Sequence, residues 1–142
     1  MDLKIITINN VDDILRLYPK ADTAQKIKIK KDVVKDIEDA KSGNRIIYGV
    51  QLNGEIVGTI QLIFKMEKDC YANCKTRAHL HHARVLEKFR GQGIGSQLVK
   101  IAENEARKRR FKEITLGVEK TNVEAIKLYE KRLQRIHARE RR

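Results

Sequence analysis

At 142 residues the chain has room for one domain with a single core, able to bury about two-thirds of its unfolded surface without disulfide or metal staples. No apolar run approaches the roughly 18 residues of a membrane span, and Met1-Asp2-Leu3-Lys4 opens no signal peptide, so a soluble cytoplasmic protein is expected. The net charge of +12 is spread over surface-type positions such as Lys26, Lys28, Lys30 and Lys31, the run Arg107-Lys108-Arg109-Arg110 and residues 132–142; with no nucleic-acid motif beside it, no nucleic-acid partner and no membrane are expected.

The elements follow in order. Leu3 to Ile8 is short and β-branched, a first strand ending at Asn9-Asn10. Asn10 caps a helix carrying Val11, Ile14 and Leu15, stopped by Pro19; Asp22-Thr23-Ala24-Gln25 resembles a capping box opening a second helix, with Ile29, Val33, Ile37 and Ala40 on one face. Arg45–Leu52 and Glu55–Phe64 are strands joined by Asn53-Gly54, a strong hairpin signal, and should be antiparallel. Met66–Thr76 reads as a polar loop containing Cys70 and Cys74, and Arg77 to about Val85 as a fourth strand. After a glycine turn, Ile94, Leu98, Ile101, Ala102 and Ala106 form the stripe of a third long helix, and Ile114–Val118 a fifth strand parallel to the fourth. Thr121-Asn122-Val123-Glu124 opens a last helix that buries Ala125, Ile126, Tyr129 and Leu133 by spacing. The expected order is β-α-α-β-β-β-α-β-α, a mixed α/β sheet with one domain over 1–131 and a basic tail over 132–142.

The turn Arg90-Gly91-Gln92-Gly93-Ile94-Gly95 carries the chemistry. Glycines at alternate positions leave backbone N–H groups uncovered, and the following helix adds its own unpaired N–H groups and the positive end of its dipole, so an anion should sit there. One or two glycines would suffice for a plain corner. Spacing excludes a P-loop, since Gly95 precedes Ser96-Gln97 rather than Lys-Ser/Thr, and excludes a dinucleotide fingerprint, whose third glycine comes one residue later.

This segment resembles the acetyl-CoA signature of the GNAT superfamily of N-acetyltransferases, Arg/Gln-x-x-Gly-x-Gly/Ala, met by Arg90, Gly93 and Gly95. Val85 to Arg90 looks like that family's end of strand four, and Asn122 to Lys131 like its second motif, Asn-x-x-Ala-x-x-x-Tyr-x-Lys. The resemblance covers about residues 78–131. It implies a GNAT-like, mostly antiparallel sheet flanked by helices, and acetyl-CoA as co-substrate with no metal. It implies transfer of acetyl to a primary amine of a small molecule or protein. Main-chain N–H groups of Val85 and Leu86 would hold the thioester carbonyl; Arg90, Gly91, Gln92, Gly93, Ile94, Gly95, Ser96 and Asn122 would bind the coenzyme. Tyr129 would give a proton to the departing thiolate. His81 stands where the family often has a glutamate base, and an imidazole titrating near 6.5 can take that proton directly or through water.

Each residue has a plainer reading too: Tyr129 as a core tyrosine, Asn122 as a helix cap, His79 and His81 as hydrogen-bonded histidines on one strand face. Cys70, Cys74, His79 and His81 could also be zinc ligands, at a spacing unlike that of a finger. An acetyl-CoA-binding domain without activity and a basic nucleic-acid or zinc module therefore stand beside the transferase reading. After Tyr129 the family's Gly-Phe and antiparallel closing strand are missing from the sequence. The apolar positions Ile126, Tyr129, Leu133 and Ile136 suggest that the last helix continues, which would leave the fifth strand's edge bare and invite a homodimer.

Overall fold

The computed structural model describes residues 3–65, 72, 76–118, 126–127 and 136–140. The elements are β1 (Leu3–Thr7), α1 (Val11–Leu15), α2 (Thr23–Lys41), β2 (Arg45–Leu52), β3 (Glu55–Ile63), β4 (Arg77–Val85), a 3-10 turn (Glu87–Phe89), α3 (Ile94–Lys108), β5 (Glu113–Val118) and β6 (Ile136–Glu140). They build one six-stranded sheet in the order β1-β2-β3-β4-β5-β6. The first four strands pair antiparallel; β4–β5 and β5–β6 are parallel. This is the mixed, mostly antiparallel α/β sheet flanked by helices that the sequence leads one to expect.

Local chemistry sets most boundaries. The Asn10 side chain accepts from Asp12 N–H at 2.8 Å, and Asp22 with Gln25 forms a reciprocal capping box, both bonds at 2.8 Å. Asn53 and Gly54, with φ of 53° and 85°, make the tight turn between β2 and β3. On α3 the buried residues are Ile94, Leu98, Val99, Ala102 and Ala106, which pack on one sheet face with Val50, Ile60, Leu62 and Leu80. The opposite face carries α1 and α2 over Ile8, Ile14, Leu17, Val33, Ile37 and Ile47. Gly58 lets the start of α3 approach: a Cβ there would lie 3.3 Å from Ile94 Cγ2 and 3.3 Å from the Arg84 oxygen.

The ending departs from expectation. Ile136 does not extend a helix; the backbone of Ile136–Glu140 runs parallel to β5, with Ile114 opposite Ile136 and Val118 opposite Glu140. The physical reason is the demand of the β5 edge, whose N–H and C=O groups are met by main chain in a way that a helix could not supply. That edge is therefore paired, which removes the reason given for a homodimer through it. Among the described residues, no helix is long and apolar enough to cross a membrane.

Candidate active site

Two irregularities in β4 shape the site. The parallel pairing of β4 with β5 runs from Arg77 opposite Glu113 to Leu80 opposite Leu116 and stops, although β4 continues to Val85 and β5 to Val118. The strands splay there. On its other side β4 carries a bulge: Gln61 faces His81 and Thr59 faces Arg84, so His82 and Ala83 together oppose the single residue Ile60.

The bulge decides which amides face the splay. Leu86 N–H donates to the Val57 oxygen at 2.9 Å and thus points at β3. Leu86 is therefore corrected as a main-chain donor to a bound carbonyl, because its N–H is already committed. By strand alternation the N–H and C=O of Val85 point the other way, toward the opening. Arg90, whose side chain reaches back, donates from Nε to the Val85 oxygen at 3.0 Å.

The glycine turn lies directly beyond. Gly91 and Gly93 have φ of 79° and 83°, a region that disfavours side chains, and a Cβ on either would meet nothing within 4 Å, so the space above the turn is open. Gly93 is the N-cap of α3 and supplies no side-chain cap; its oxygen accepts from Gln97 N–H at 3.1 Å, leaving the N–H groups of Ile94, Gly95 and Ser96 without intrahelical acceptors. Gln92 is exposed within the turn, and Ile94 is buried beneath it. The uncovered amides, the dipole end of a 15-residue helix and the exposed Arg90 fit a phosphate-bearing ligand. Asn122 and Tyr129 lie outside the described residues, as do Cys70 and Cys74.

The other sheet face carries the histidines. His79 and His81 are both buried, with ring centroids 5.5 Å apart, and His79 Nδ1 lies 2.6 Å from Thr115 Oγ1. Beside His81, its ladder partner Gln61 is held at both ends of its amide: Oε1 accepts from Arg45 Nη1 at 2.7 Å and Nε2 donates to Asp36 Oδ2 at 3.0 Å. Arg45 also donates to Asp36 at 3.2 Å and to Asp39 at 2.6 Å. This network ties α2 to the sheet.

A cleft opens next to it, lined by Tyr18, Ile29, Asp32, Asp36, Thr59 and Gln61 among others. Arg84, turned onto this face by the bulge, donates from Nε to the Leu17 oxygen and lays its guanidinium 4.0 Å from the centre of the Tyr18 ring. Burial pushes the Tyr18 hydroxyl's pKa up, the Arg84 charge pulls it back, and Asp36 adds to the rise. Sequence reasoning passes over Tyr18, Arg84, Gln61 and Asp36. The one available signal is Asp36 placed between the buried positions Val33 and Ile37 of α2.

Comparison with known proteins agrees with this fold. The model of the acetyltransferase (GNAT) family matches residues 11–133. Among solved structures, the chain resembles a PaiA N-acetyltransferase from Thermoplasma acidophilum in complex with coenzyme A, at TM-score 0.71 and 17% identity over 92% of this chain and 88% of that one. It also resembles a transcriptional regulator from Bacillus halodurans C-125 (TM-score 0.70, 24% identity, 91% and 90% of the two chains) and an acetyltransferase from Trypanosoma brucei (0.65, 20%, 99% and 98%). No curated protein gives a significant match.

Proposed function

The chain belongs to the acetyltransferase (GNAT) family, and from that premise we propose that it moves an acetyl group from acetyl-CoA to a primary amine of a small molecule or protein. The observation that carries this reading is the parting of β4 from β5 after Leu80 and Leu116, immediately before a turn of uncovered amides. Acetyl-CoA supplies a thioester: a C–N bond forms as the C–S bond breaks, the amine losing one proton and the sulfur gaining one.

This chain's residues divide the work. The amides of Gly91 to Ser96, with Arg90 beside them, hold the pyrophosphate, and Val85 N–H is aimed at the thioester oxygen in the splay, where a preorganised donor stabilises developing negative charge. His81, on the α2 face, accepts the amine's proton directly or through water. Tyr129 returns a proton to the sulfur, and Asn122 contributes to coenzyme binding. A phenol near 10 facing a thiol near 8.5 makes that return modestly uphill, so close contact matters more than driving force.

Thermal denaturation with CoA and acetyl-CoA, followed by thiol release on a panel of amines, tests the proposal. Stabilisation by both coenzymes and amine-dependent thiol release is the expected result. Stabilisation without release on any amine would assign an inactive coenzyme-binding domain instead, and no stabilisation would end the reading.

A further inference from the structure

We propose that the outer face of α2 docks the protein on an anionic membrane surface, with its lysines among the lipid headgroups and Ile27 and Val34 reaching just below them. This is attachment to a surface and not a span. The start of α2 stands clear of the body: every residue from Asp22 to Lys28 is exposed, Ile29 is the first to be half-buried and Val33 the first to be buried.

The apolar side chains come first. Ile27 is 66% exposed and Val34 37%, the large hydrophobics that the described residues leave open to solvent. Seven residues apart, they lie along one line of the helix about two turns from each other, with Lys31 between them. A single exposed isoleucine is ordinary on a protein surface and needs no partner. A pair aligned on the outer face of a helix and flanked by lysines on both sides is a different arrangement.

Charge narrows the choice of partner. Between Thr23 and Lys35 stand Lys26, Lys28, Lys30, Lys31 and Lys35, all exposed, against the single Asp32. None of these lysines makes an ion pair among the described residues. Their placement works against the helix itself. Lys26 with Lys30 and Lys31 with Lys35 are like charges one turn apart, no acid occupies the first turn, and the positive end of the helix dipole lies close by. An external array of anions relieves each of these strains.

The kind of cation and its apolar neighbours select the lipid surface. All five charges are lysines, point charges on flexible stems, which suit a fluid layer of headgroups better than the two-pronged contacts by which arginine recognises carboxylate or phosphate. A folded protein partner would have to bury lysines, which the cores of interfaces disfavour. DNA or RNA backbone would gain nothing from Ile27. The interfacial region of a bilayer takes the apolar side chain and leaves the lysine heads in water.

Vesicle sedimentation tests the proposal, comparing phosphatidylcholine alone with phosphatidylcholine containing about one-third phosphatidylserine. The expected result is binding at least about tenfold stronger to the anionic vesicles, lost as salt rises from about 0.1 to 0.5 M. Lys28→Gln, Lys31→Gln and Lys35→Gln together should weaken it about a hundredfold, at roughly fivefold per lysine. Ile27→Ser with Val34→Ser should weaken it several-fold at unchanged charge. Lys100→Gln, Lys108→Gln and Lys112→Gln, exposed positions on and just after α3, remove the same charge elsewhere and should change binding by less than about threefold. All the substituted positions are exposed, so circular dichroism and melting should match the parent. Equal binding to both vesicle types, equal losses from the two lysine sets, or no effect of the Ile27 and Val34 substitutions would overturn the assignment. Capture of double-stranded DNA through the same α2 lysines, which anionic vesicles fail to compete away, would overturn it in favour of nucleic acid.

Discussion

Arg90 Nε and the main-chain oxygen of Val85 are hydrogen-bonded at 3.0 Å, so the glycine turn is tied back to the strand end whose amide faces the splay. The guanidinium therefore positions the turn and lends charge to it. Arg90→Ala is expected to weaken CoA binding about tenfold, the size of one charge-assisted hydrogen bond, with Arg90→Lys recovering only the charge part. Calorimetric titration of the two variants at low and moderate salt separates these contributions.

Gly93 sits at φ 83° with open space around it, so a side chain there meets backbone strain and not a clash with the protein. Gly93→Val should cost about 1–2 kcal/mol in stability and cover the amides an anion needs. Denaturant unfolding reads the first effect and CoA titration the second. A folded Gly93→Val protein with unchanged coenzyme affinity would contradict the cradle.

For the proton transfers, Tyr129→Phe should lower kcat while sparing coenzyme affinity, since only the hydroxyl is lost. His81→Ala should remove the acid limb of the pH–rate profile, because protonation of the imidazole is what stops the base from working. An unchanged limb would return the role to water.

Tyr48 gives a pH prediction for stability. Burial pushes its hydroxyl up to about 12, with Glu105 adding to the rise and Arg109 opposing it. An unfolded tyrosine titrates near 10, so the folded state holds this proton longer. The resulting stabilisation is complete below about pH 10 and is lost as pH rises toward 12. Urea titrations across that interval should show a shallower fall for Tyr48→Phe than for the parent.

Removing residues 136–142 strips β6 from β5 and leaves the N–H and C=O groups of Ile114 to Val118 as a bare edge. The shortened chain should associate at micromolar concentration more strongly than the full one. Sedimentation velocity on both proteins checks it, and equal behaviour would mean that another segment guards the edge.

What could be read from the sequence was local. The capping box at Asp22 and Gln25, the turn at Asn53-Gly54 and the stripe along α3 each follow from a few neighbouring residues, and the pairing of β4 with β5 follows from the helix between them. The bulge at His82 and Ala83 has no such signature: nothing in Leu80-His81-His82-Ala83-Arg84 says that two residues will oppose Ile60. The resemblance implied Val85 and Leu86 together as main-chain donors; the ladder gives Leu86 to Val57. The cleft was equally hidden, because Asp36, Arg45 and Gln61 meet across 25 residues of chain and only the sheet brings them together. The parallel β6 was missed for the opposite reason: an apolar spacing that suits a helix also occurs in a short segment recruited by an open strand edge.

The bulge also makes β4 a strand of two phases. Before it, odd-numbered residues face α2; after it, even-numbered ones do, which is how His81 and Arg84 come to share a face. Deleting one residue there would restore a single phase, but only by shifting everything downstream by one place relative to β3. Arg84 would rotate off Tyr18, and the amide facing the splay would belong to a different residue. A change of length along this strand should therefore cost more than a change of side-chain type, so in homologous sequences the count of residues between His81 and Gly93 should vary less than their identities.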